Sequence, residues 1–132
     1  MLDTSPLTAA VERFADRLRA APQSRLQQGA AEVALDLARE LSLRAQRLEA
    51  AVTAVTAAGD GAGAAPARTM PDAGIFVVGD QLAVAGLDLA EALHAAAGGP
   101  GGATAADMAK APSEMLDEAV RLVDQAEAGA LR

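Results

Sequence analysis

Leu7, Val11, Phe14 and Leu18 recur at intervals of four, three and four. That spacing lines one face of an α-helix. Ser5 predicts the start of this first helix, because serine is a good N-cap and Pro6 then occupies the first helical position, where its missing N–H has no partner to lose. Pro22 ends or kinks the helix near Ala21. A second stripe follows through Leu26, Ala30, Val33, Leu37, Leu41, Arg44, Leu48, Val52 and Val55. Ser24-Arg25-Leu26-Gln27 fits a capping box, so the second helix is expected to begin at Ser24. Its eleven-residue repeat suits nearly straight or slightly right-handed packing. Arg44, the one polar member, is expected to extend its charge to water over its apolar stem. Gly59 and the glycines after it stop the helix, which at 1.5 Å per residue spans roughly 50 Å.

Residues 59–71, rich in Gly, Ala and Pro, read as a flexible linker, and residues 98–103 as a second. Thr104 to Lys110 is expected to form at most a short helical turn. Ser113, after Pro112, caps a fourth helix with Met115, Leu116, Ala119, Leu122, Val123 and Ala126 on its apolar side.

Between the linkers, Asp72 to Gly98 reads as a third helix with Asp72 as N-cap and two parallel heptad seams. One seam carries large anchors: Ile75, Val78, Leu82, Ala85, Leu89, Ala92 and Ala96. The other is Phe76, Gly79, Ala83, Gly86, Ala90, Leu93 and Ala97, mostly small residues along which a second backbone can approach closely. Gln81 and Asp88 mark the exposed edge. Two seams imply at least two neighbouring helices, as inside a bundle. A strand over Gly74 to Gly79 is the alternative, but no second strand exists in the sequence to pair with it. Gly79 and Gly86 each cost roughly 1 kcal/mol relative to alanine in a helix, so close packing must offset them. The seam closes either within the chain or between subunits, and Phe76, Gly79, Ala83, Gly86, Ala90 and Leu93 are the interface candidates. The second helix is longer than the first or fourth can cover, so a homo-oligomer is expected, most simply a two-fold dimer.

Composition sharpens this picture. At 132 residues and 52% hydrophobic the chain can bury one core, and residues 1–132 are expected to form a single helical domain. It has two Phe, no Trp and no Tyr. Alanine, the best helix former, buries little area per residue. Ten Arg against one Lys follows the bias of a GC-rich genome. With no cysteine, disulfides, Cys-zinc sites and thiol catalysis are excluded. The net charge of −7 arises wholly after residue 58. An acidic chain with few aromatics is a poor nucleic-acid binder. Three acids (Asp80, Asp88 and Glu91) interrupt the most apolar stretch, which argues against a membrane span. Met1 to Pro6 has neither the basic start nor the apolar core of a secretory signal, and a cytoplasmic location is expected.

Chemistry has little to stand on. His94 is the only histidine, and Glu91-Ala92-Leu93-His94 places a carboxylate and an imidazole on one helix face. Carboxylate-bridged metal bundles use this spacing twice with two further Glu residues. A dimer could supply the second copy, and Glu32 or Glu40 the remainder. His94-Ala95-Ala96-Ala97-Gly98 resembles the His-x-x-Lys-Gly pattern of histidine-phosphotransfer domains at its first and last residues, with Ala97 in the lysine position. That resemblance implies a phosphorelay role for His94. The glycine runs lack the Lys-Ser/Thr of a P-loop. Glu114, Asp117 and Glu118 are accounted for by the positive end of the fourth helix.

The expected architecture is therefore all-α and four-helix-bundle-like. Two long central helices join two shorter ones, and oligomerisation completes the assembly. The expected role is a non-enzymatic interaction or assembly module, with no cofactor, whose partner is itself or another protein. A metal-binding bundle across an oligomer and a phosphotransfer relay are the alternatives.

Overall fold

The computed structural model of the chain describes residues 2–56, 68–98 and 111–131. It is all-α, with no strand among the described residues.

Helix α1 spans Ser5–Ala20 and buries Leu7, Val11, Phe14 and Leu18 as their spacing requires. Its N-cap is Thr4, one residue earlier than expected. The Thr4 carbonyl accepts the N–H groups of Leu7 at 3.0 Å and Thr8 at 3.1 Å. The Asp3 carboxylate accepts from the Ser5 N–H at 3.0 Å, which satisfies an amide that has no partner inside the helix.

The second predicted helix does not run straight. Helix α2 is a single turn, Gln23–Arg25, entered from Pro22. A π-helical turn follows at Leu26–Ala30, and α3 then runs over Ala31–Thr56. Ser24 makes no cap, because the helix is already under way at Gln23 and no cap side chain bonds its first turn. The kink sits at Gly29, whose φ of 128° is open to glycine and strained for other residues. The apolar spacing gives no sign of the kink, since Leu26 and Ala30 are both buried on either side of it. Beyond it Leu37, Leu41 and Leu48 are buried within the chain and Val52 is half-buried, so the stripe is covered that far without a second subunit. Arg44 does not reach for water. Its guanidinium bonds Glu40 at 2.9 Å and, across to the C-terminal helix, Glu118 at 2.6 Å.

Of the two expected linkers, only residues 68–71 and Gly98 fall among the described residues, and the turn expected over 104–110 lies outside them. Residues 68–72 form a strap held by its main chain. Gln46 accepts from the Arg68 N–H at 2.7 Å and donates to the Arg68 carbonyl at 2.8 Å. Arg39 Nε donates to the Met70 carbonyl and Gln81 Nε2 to the Pro71 carbonyl, both at 2.8 Å.

Helix α4 spans Val78–Gly98, so the third predicted helix starts six residues late. Asp72 spends its carboxylate on the Gly74 N–H at 3.0 Å, an Asx turn that competes with helix initiation. Gly74 then takes a φ of 102°, and residues 75–77 form a turn that is neither helix nor strand. Helix α5 is Pro112–Ala130, with Ala111 rather than Ser113 at the N-cap.

Helix α4 packs on α3 and α1, while α5 packs on α1 and α3. Val78, Leu82, Ala85, Leu89, Ala92 and Ala96 of the large-residue seam are all buried. Phe14, Leu41, Leu82 and Leu93 are 0% exposed, and each full burial of such a side chain is worth about 1.5–3 kcal/mol. Buried alanines fill the remaining contacts, Ala34, Ala38 and Ala119 among them at 0% exposed. Such small side chains let neighbouring helices come close.

Charges tie the helices at the rim. Glu127 of α5 is buried, with Oε1 at 3.1 Å from Arg13 Nε and Oε2 at 3.2 Å from Arg17 Nη1 on α1. Asp124 adds a second contact to Arg13 at 2.9 Å. These partners raise the Arg13 pKa above its ordinary value, the Glu127 hydrogen bond most of all.

Candidate functional site

The side of α4 turned away from α1 and α3 is unexpectedly apolar. Val84 is 53% exposed and Leu87 52%. Residues three apart on a helix are surface neighbours, so these two make one patch. Val77, seven residues before Val84, and Phe76 extend it toward the helix N-terminus, and Phe76 is the most exposed of the four at 74%. Asp80, Asp88 and Glu91 are exposed along the same side. Asp80 is neutralised from α1, since Arg19 reaches it at 3.1 Å through Nε and at 2.6 Å through Nη2. Arg19 also holds Asp16 at 3.0 Å. Its pKa is raised above the ordinary value, chiefly by the Asp80 hydrogen bond.

The six interface candidates fall in three environments. Gly79, Gly86, Ala90 and Leu93 are buried, Ala83 is half-buried, and Phe76 is exposed. The small-residue seam meets α1 of the same chain. A Cβ built on Gly86 would lie 2.7 Å from Val11 Cγ1, and one on Gly79 would lie 3.1 Å from the Ala15 carbonyl oxygen. These glycines are what allow α1 to lie so close to α4. The exposed apolar residues Val84 and Leu87 of this helix, with Val77 in the turn before it, were not expected from the sequence. The signal is present in the sequence, because Val77 and Val84 are two turns apart and Leu87 adjoins Val84. Two longer seams on the same helix mask it. Gln81, expected at the exposed edge, is half-buried against the strap.

Glu91 and His94 are both exposed. His94 Nε2 lies 3.1 Å from Thr4 Oγ1, so the imidazole fastens the last turns of α4 to the start of α1. No group of three His, Cys, Asp or Glu side chains able to hold a metal ion comes together among the described residues. Glu32 is exposed at the start of α3, and Glu40 is engaged with Arg44. No helix among the described residues is long and apolar enough to cross a membrane. No known protein family, curated protein or solved structure matches the chain.

Proposed function

We propose that the chain is a non-enzymatic helical assembly module, a four-helix bundle that presents the outer face of α4 to a second copy of itself in the cytoplasm. The observation that carries this reading is the pair of exposed large apolar side chains on α4, Val84 and Leu87, with Phe76 and Val77 exposed in the turn that leads into the helix. Large apolar residues gathered on one face lose contact with water most readily by pairing with a similar face. A two-fold dimer is the simplest assembly that does so.

The register follows from the sequence. An antiparallel pairing of two α4 helices about the midpoint of Val84 and Leu87 sets Val84 of each copy on Leu87 of the other. The same register sets Asp80 opposite Glu91. Arg19, already bound to Asp80, then faces the Glu91 carboxylate, and symmetry repeats the contact. Oppositely charged groups at such a rim fix register more than they add affinity.

Sedimentation equilibrium at micromolar concentration tests the reading. The wild-type chain sediments as a dimer. Leu87→Glu sediments as a monomer with an unchanged helical circular dichroism spectrum. A wild-type chain that stays monomeric over this range overturns the proposal.

A further inference from the structure

We draw no further inference here: the strongest candidate, the open cleft between the π-helical turn and the start of α4, carries nothing, because Glu32, Asp36 and Asp72 along it are a cluster of exposed carboxylates and nothing among the described residues points to a ligand for them.

Discussion

Val11 occupies the space that a side chain on Gly86 would need. An added Cβ would lie 2.7 and 2.8 Å from its two methyl carbons. Two effects then oppose each other in Gly86→Ala. Helix propensity favours alanine by about 1 kcal/mol, and overpacking a closed contact costs about 1–3 kcal/mol. Val11 is 2% exposed and has little freedom to move aside, so the clash wins. Gly86→Ala is expected to destabilise by about 1 kcal/mol in urea denaturation. Val11→Ala in the same chain restores room, and the double variant should be less destabilised than the two single changes added together. A stabilised Gly86→Ala would show that α1 does not close this seam.

Two other glycines separate backbone strain from space. Neither Gly29 nor Gly129 has an atom within 4 Å of its added Cβ. Gly29 has a φ of 128°, so Gly29→Ala forces a strained backbone and is expected to lower stability by about 1–3 kcal/mol. Gly129 lies in the last turn of α5 with no positive φ, and Gly129→Ala should be neutral or stabilising by up to about 1 kcal/mol. Thermal melts of both variants check the pair. Equal responses would contradict the kink at Gly29.

Glu127 is the one acidic side chain buried in the described structure, at 6% exposed. It lies between Arg13 and Arg17, whose side chains are about half exposed at 54% and 49%. The exposed partners screen the pair, so its loss falls short of a fully buried ion pair. Glu127→Ala is expected to cost about 1–3 kcal/mol, because it removes a hydrogen-bonded charge and leaves a gap between α1 and α5. Asp124→Ala, which touches the same Arg13 from an exposed position, should cost well under about 1 kcal/mol. Urea midpoints give the ranking, and Asp124→Ala proving the costlier change would reverse it.

The buried face of helix α1 was legible, because Leu7, Val11, Phe14 and Leu18 share one helical spacing with no competing signal, although its cap lies one residue earlier than expected. The start of α4 was not. Asp72 has the chemistry of an N-cap and of an Asx turn alike, and only the fold decides that its oxygen goes to Gly74. The kink at Gly29 was hidden for a different reason, since Leu26 and Ala30 keep helical spacing across it. The small residues of the α4 seam announce that a backbone comes close, but a pattern carries no information on which chain supplies it. Long-range polar contacts escape sequence reading altogether. Arg44 with Glu118 and Thr4 with His94 lie 74 and 90 residues apart.

Asp3 supplies a pH test of the α1 cap. Hydrogen bonds from the Ser5 side chain and then from its N–H hold the carboxyl below its ordinary value of 3.8. A depressed carboxyl pKa stabilises the folded state above the unfolded-state value, and that contribution is lost as pH falls through the folded value. The group is fully exposed, so the effect is read on the residue itself. An NMR titration should place the Asp3 midpoint below 3.8, and Ser5→Ala should move it back toward that value. A midpoint at or above 3.8 would mean that the cap does not form in solution.

The strap at residues 68–72 is gripped by groups that every amino acid shares. Gln46, Arg39 and Gln81 hold carbonyl oxygens and one N–H, and they leave the identities of the strap residues largely unread. Only a proline at position 68 would remove a required donor. Met70 packs on the core and Asp72 accepts the Gly74 N–H, but the first two positions of the strap are text that can be rewritten while its binding stays intact. New side chains placed at Arg68 or Thr69, both exposed, would be displayed at a fixed point on α3 by contacts indifferent to what they are.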